Sequence, residues 1–355
     1  MITISLCMIV KDEAAVLARC LDSAKDVADE IIIVDTGSTD ETKAVAQRYT
    51  DKVFDFEWIN DFSAARNFSY AKATMDYQLW LDADDILPEK SQKELLALKE
   101  SLDPSYEIVA MKYHTHFDGD GNPILISTRE RLTKREKNYQ WIDPVHECIP
   151  LVGKSFYSDI EIHHKKPEGR SNPDRNLNIY TAREAAGKEF SPRQQYYFAR
   201  ELKDHGLWEK SAMYFERFLD GGEGWIEDNI AACYNLSICY NAMKQPEKVL
   251  PILTKSFLYD APRAETCSEI GYYYKRGGFF TPALKWFKIA ANLGSPDSAG
   301  FILMDYWGYI PCVECCVCFC ELGDFENAKI YNERAGVFRP DSPAVKHNRE
   351  YLATK

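Results

Sequence analysis

The chain lacks any apolar run near the roughly 20 residues that a membrane helix requires, so a spanning segment is not expected. Basic charge is in short supply: 43 Lys and Arg stand against 55 Asp and Glu, a formal net charge of −12. Binding to the phosphate backbone of duplex DNA draws on a cationic surplus, so no nucleic-acid partner is expected. No basic leader precedes the first apolar run in MITISLCMIVKDE and no small-residue cleavage site follows it, which reads as the first buried strand of a cytoplasmic protein. The eleven cysteines are odd in number and follow no framework spacing, which fits a reduced compartment better than a disulfide scaffold. A phosphate-binding loop is missing too, since GSTDET has neither the lysine nor the glycine spacing, and this disfavours NTP hydrolysis.

What is present suffices for packed cores. At 355 residues and 45% hydrophobic content the chain is long enough for two domains and too apolar to be disordered. The first half alternates short buried runs with helical patterns. Ile2–Val10, Ile31–Val34, Val53–Phe56 and Tyr77–Leu81 read as strands covered on both faces, and helical spacing follows from Asp12 to about Ala24, after Thr39 or Asp40, and from Phe62 onward. This order calls for a mostly parallel sheet with helices on both faces. Tyr106–His116 and Ile124–Leu132, separated by the turn DGDGNP, and Ser158–His163 read as further strands of a mixed sheet. In open sheets of this kind ligands sit beyond the carboxyl ends of the strands, so Lys11, Asp12, Asp35 and Asp82–Asp85 are expected to converge on one crevice.

The second half repeats. Four segments each hold a helix, a turn and a helix; aligning Ala212, Val249, Ala283 and Ala328 gives steps of 37, 34 and 45 residues, near the tetratricopeptide period. Aromatics such as Tyr196, Tyr214, Phe215 and Phe287 read as interhelical core, with a peptide-stacking groove as the alternative. The CVECCVCFC run contains CxxC spacing, but a helix puts Cys312, Cys315, Cys316 and Phe319 on one face without a second ligand pair, so packing is preferred to zinc. Domains are placed at 1–170, a linker and first helix at 171–192 within and after KKPEGRSNPDRN, and the repeats at 193–355.

The chemistry lies in the first half. Asp82-Ala83-Asp84, with Asp85 behind it, follows a buried strand; two carboxylates one residue apart can hold a divalent cation together with phosphate oxygens, although Asp also commonly ends strands. An acceptor group activated for in-line displacement needs a base opposite the leaving diphosphate, and Asp143, His146 and Glu147 in WIDPVHE are the candidates, a capped turn being the plainer alternative. Trp141 suits an apolar wall under a sugar ring or, as readily, the core.

SLCMIVKDE, VDTGSTDET, DFSAARNFSYAKA and WLDADD stand in the order of the motifs of family 2 glycosyltransferases of the GT-A fold, which the chain resembles over its first roughly 180 residues. YQWIDPVHECI, DIEIHH and RNLNIY followed by repeats look like the subgroup fused to tetratricopeptide-like domains, which includes the peptide S-glycosyltransferases of the glycocin (sublancin) type. The resemblance implies an α/β, Rossmann-like GT-A domain followed by an all-α tetratricopeptide-like repeat domain. It implies that Ile9, Lys11, Glu13 and Asp35 border the nucleotide base and ribose, with Arg66 and Asn67 beside the nucleotide. Asp84 is then the direct metal ligand, Asp82 a ribose or water-mediated contact and secondary ligand, and one of His163 and His164, preferably His163, completes the set. Glu147 is the preferred base. The implied cofactor is Mg²⁺ or Mn²⁺, the donor a UDP-sugar such as UDP-glucose or UDP-N-acetylglucosamine, and the acceptor a peptide or protein side chain, Ser/Thr or Cys. The repeats could present that acceptor or pair two copies of the chain. A cell-envelope glycan acceptor and a non-catalytic repeat scaffold with a vestigial nucleotide site are the alternatives.

Overall fold

The computed structural model describes all residues except 120, 151, 167–172, 295–297 and 299. Two compact units divide the chain, Met1–Lys188 and Glu189–Lys355. Most of the expected linker core, 167–172, and Asp120 of the DGDGNP turn lie outside the described residues. The first helix after it falls in the N-terminal unit.

In that unit the elements run β1 (Ile4–Val10), α1 (Leu17–Ala24), β2 (Glu30–Asp35), α2 (Thr42–Ala46), β3 (Val53–Asp55), α3 (Phe62–Tyr70), β4 (Tyr77–Trp80), β5 (Asp85–Ile86), α4 (Glu89–Ser101), β6 (Ile108–Phe117), β7 (Pro123–Lys134), β8 (Ser155–His164) and α5 (Asp174–Ala185). The strand order is β3-β2-β1-β4-β7-β6-β8-β5. β3, β2, β1 and β4 are parallel, β7 runs antiparallel to both neighbours, β6 and β8 are parallel to each other, and β5 caps the edge antiparallel to β8.

Alternation along β1 explains its placement. Ile4, Leu6, Met8 and Val10 join Leu17, Leu21, Leu95 and Leu102 in the core under α1 and α4, while Cys7 faces a second core with Tyr70, Trp80 and Trp141. Both faces are thus covered, which is why the run is apolar throughout. α1 begins at Leu17 rather than near Asp12, because Asp12 takes a positive φ of 53° and the chain turns there instead of coiling. α3 starts where its sequence indicates, with the Asp61 carboxylate accepting from the Ala64 N–H at 3.0 Å.

The second unit is a series of helical hairpins: α6 (Pro192–Asp204) with α7 (Trp208–Gly221), α8 (Ile226–Ala242) with α9 (Pro246–Lys255), α10 (Ala264–Arg276) with α11 (Phe280–Asn292), α12 (Tyr309–Glu321) with α13 (Phe325–Phe338), and then α14 (Pro343–Leu352). Each hairpin turns through one left-handed residue, at Gly206, Lys244, Gly278 and Gly323. Tyr196, Tyr214, Phe215 and Phe287 are buried as core, and Cys312, Cys315, Cys316 and Cys318 pack with Phe319 and Phe287. Burial pushes those thiols away from thiolate, Cys316 and Cys318 to about 12. Among the described residues no helix is long and apolar enough to cross a membrane.

Candidate functional site

Parallel register brings the strand ends to one edge. Val10 lies beside Asp35 and Cys7 beside Trp80, so the residues after β1, β2 and β4 leave the sheet on the same side. There Asp35 is buried; its Oδ1 accepts from the Gly37 and Ser38 N–H groups at 3.0 and 2.9 Å, while its buried Oδ2 has no hydrogen-bond partner among the described residues. Lys11 is exposed on the adjoining turn, and Ile9 is half-buried against the Trp80 and Trp141 core. Glu13 serves the turn through its backbone, its N–H donating to Thr42 Oγ1 at 2.6 Å.

After β4 the acidic segment separates into distinct roles. Asp85 is fully buried and takes Arg131 Nη1 and the Tyr113 hydroxyl, both at 3.0 Å, as well as the Asp82 N–H at 3.0 Å. Arg131 is itself fully buried, its guanidinium 3.6 Å from the Trp80 ring centroid. This pair is costly to bury and costlier to break, and it braces the loop that carries Asp82 and Asp84. Sequence reasoning missed Arg131: it lies 46 residues from Asp85 in an ordinary strand, and no local pattern signals the pairing.

Asp82 bonds Arg66 Nη2 at 2.7 Å, and Arg66 Nε bonds Glu147 at 2.6 Å. The guanidinium lies against two indoles, 4.7 Å from the Trp80 centroid and 4.8 Å from that of Trp141. One cation therefore joins the acidic motif to the WIDPVHE segment. Burial opposes ionisation of Asp82, yet Arg66 and Arg131 outweigh it and hold the carboxyl down at about 2. At Asp84, burial together with the neighbouring Asp82 and Asp85 raises the carboxyl above its ordinary value against the pull of His164. His164 Nδ1 stands 3.2 Å from both Asp84 and Asp85. Burial lowers its basicity, but the hydrogen bond to Asp85 and the charge of Asp84 prevail and raise it.

The histidine nearest the acidic segment is thus His164, and the preference for His163 is corrected. Ile160, Ile162 and His164 share the face of β8 turned to the α1 side, and the intervening Glu161 and His163 point to the other face. His163 bonds Glu161 at 3.1 Å and stacks on His114. A second correction concerns Trp141. It is 2% exposed, edge-on to Trp80, and lies beneath Arg66, so it is core rather than a wall open to a sugar. Asn67 grips the same segment from α3, donating to the Trp141 carbonyl at 2.9 Å and accepting its N–H at 2.8 Å. It therefore positions that loop from α3.

The WIDPVHE loop is a closed turn. An Ile142–Cys148 bridge shuts it, Asp143 and His146 take positive φ values of 72° and 54°, and the Pro144 carbonyl accepts the N–H of Phe62 at the start of α3. His146 stacks on Tyr180 of α5 at 6.5 Å, and Glu147 is turned toward Arg66. Among the base candidates, Glu147 is linked to the acidic segment through Arg66.

Among the described residues, ligand atoms of Asp82, Asp85 and His164 lie within 4.8 Å of one another, with Asp84 3.2 Å from the same imidazole, a set of hard oxygens plus one imidazole. That composition fits Mg²⁺ or Mn²⁺.

Residues 5–152 match the family described as Glycosyl transferase family 2. A TPR repeat-containing protein of Synechococcus elongatus is 52% identical over 149 residues, 42% of this chain and 36% of that protein. The SPbeta prophage-derived glycosyltransferase SunS of Bacillus subtilis is 26% identical over 215 residues, 56% of this chain and 49% of SunS. The chain thus spans about half or less of these relatives' lengths. Among solved structures, glucosyl-3-phosphoglycerate synthase from Mycobacterium tuberculosis with Mn²⁺ and UDP-glucose aligns over 54% of this chain and 81% of that one, at 16% identity and a TM-score of 0.36. The N-terminal unit therefore carries a glycosyl transferase family 2 domain.

Proposed function

We propose that the chain is a metal-dependent inverting glycosyltransferase that moves a sugar from a UDP-sugar to a peptide or protein side chain. The observation that carries this reading is the linkage Asp82–Arg66–Glu147, which joins the strand-end carboxylates to an acidic loop beyond them. In this reading Asp84 and His164 hold the dication, with Asp82 beside them, and the dication when bound neutralises charge on the departing diphosphate. Asp35 offers its unpartnered Oδ2 to the nucleoside, whose hydroxyl or imide N–H would satisfy it. Arg131 and Tyr113 bond Asp85 and so hold the loop in position. Glu147, positioned by Arg66, takes the acceptor proton. The hairpin repeats supply a surface for an extended acceptor chain.

The test is titration calorimetry of the chain with UDP, GDP, CDP and TDP, with and without Mn²⁺, followed by hydrolysis of UDP-glucose and UDP-N-acetylglucosamine. Mn²⁺-dependent binding of UDP alone, together with loss of hydrolysis in Asp84→Ala, supports the proposal. Failure of every nucleotide to bind would leave the repeat scaffold as the better reading.

A further inference from the structure

The face of β8 opposite His164 holds a second cluster. His114 on β6 lies beside His163 in the parallel register, and Glu161 lies two residues before His163 on the same face. The imidazole nitrogens and a carboxylate oxygen of His114, Glu161 and His163 all lie within 4.8 Å of one another. Glu161 Oε2 is 3.1 Å from His163 Nε2 and 3.8 Å from His114 Nδ1.

His114 is the informative member. It is 5% exposed, and among the described residues neither ring nitrogen has a hydrogen-bond partner. An imidazole buried this way forfeits the hydrogen bonds it would make to water, and proteins rarely keep such a group without a use. Phe117 closes one side of the cluster, 5.1 Å from His163, while Glu161 and His163 retain partial exposure that gives an ion access. Two cations stand nearby and are already occupied, Lys112 in a 2.7 Å pair with Asp159 and Lys165 over the Phe117 ring.

We propose that His114, Glu161 and His163 form a zinc-class transition-metal site, separate from the Asp82–Asp84–His164 centre. Two imidazoles and one carboxylate leave a fourth position for water, and this mixed donor set favours Zn²⁺ over Mg²⁺. Tetrahedral bonds of about 2.0–2.1 Å place ligand atoms about 3.3 Å apart, so rotating the side chains inward by about 1 Å closes the set. The ion clamps β6 to β8, the strand that also carries His164.

The experiment titrates the full metal-stripped chain with Zn²⁺ by calorimetry and with Co²⁺ by visible absorption, in wild type, Asp84→Asn, His114→Ala and Glu161→Gln. Expected are one tight Zn²⁺ site and tetrahedral Co²⁺ bands that survive Asp84→Asn, with affinity weakened about 100-fold or more in His114→Ala. Glu161→Gln, a half-exposed isostere that preserves the fold, must weaken binding as well, which covers the case of a misfolded His114 variant. Zn²⁺ binding that Asp84→Asn abolishes and Glu161→Gln leaves unchanged overturns the proposal, as does the absence of tight binding in the wild type.

Discussion

Glu30 opens β2 from inside the N-terminal unit, and replacing it with glutamine has a calculable effect. Its carboxylate accepts the N–H and hydroxyl of Thr74, both at 2.9 Å, together with the Ser5 hydroxyl and the Lys52 ammonium. These bonds tie β1, β2 and the entrance to β4 together, and Ser5 passes the link on by accepting the Met75 N–H at 3.1 Å. Burial alone would raise the carboxyl, but Lys52, Ser5 and Thr74 overcome it and depress it from 4.5 to about 2. At about 1.4 kcal/mol per pH unit this depression is worth about 3 kcal/mol of folding free energy. The sign follows from a lowered acid: the contribution is fully present above about pH 4.5 and is lost as pH falls through about 2. Glu30→Gln should therefore cost about 3 kcal/mol at pH 7 and about half that or less near pH 3. Urea unfolding followed by hydrogen exchange on peptides from β1 and β2 isolates this unit from the helical repeats. A cost below about 1 kcal/mol at pH 7, or one that does not change between the two pH values, would refute the reasoning.

Asp84→Asn should lower metal-dependent UDP-sugar hydrolysis by about 100-fold or more while leaving the melting temperature near wild type, measured by coupled UDP release and calorimetry. Glu147→Gln should slow transfer to a serine peptide by orders of magnitude and to a cysteine peptide only modestly, because a thiol ionises far more readily; equal losses on the two acceptors would sink that distinction. Gly271 sits inside α10 with the Phe287 ring 2.7–2.9 Å from where a Cβ would be. Gly271→Ala should destabilise the repeats by about 1–3 kcal/mol despite the better helix propensity of alanine, whereas Gly221→Ala, with nothing within 4 Å, should be neutral or stabilising in thermal melts.

The strands and the acidic strand end were readable because their signals are local: buried apolar runs of four to seven residues, followed by Asp35 or by Asp82–Asp85. Motif order points to Arg66 and Glu147 separately, but their pairing across 81 residues is a tertiary fact. The choice between His163 and His164 turned on the phase of β8, which a run of two histidines leaves undetermined. Trp141 was ambiguous for a similar reason, since an indole packs equally well under a guanidinium or under a sugar. The late start of α1 came from Asp12, whose side chain takes the Thr39 N–H at 2.6 Å and favours a turn over a first helical coil.

The pairing of β6 with β8 carries an irregularity between Ala110 and Lys112, upstream of the two histidines. That irregularity acts as a gear tooth. Because side chains on a strand alternate, removing or adding one residue there would exchange the sides on which His163 and His164 emerge. A single-residue insertion in β8 before Glu161 thus rewires both clusters at once, moving His163 to the acidic strand end and placing Ile162 beside His114. Short of such an indel, each histidine can change without disturbing the other's face, so the two clusters are free to diverge independently while sharing one strand.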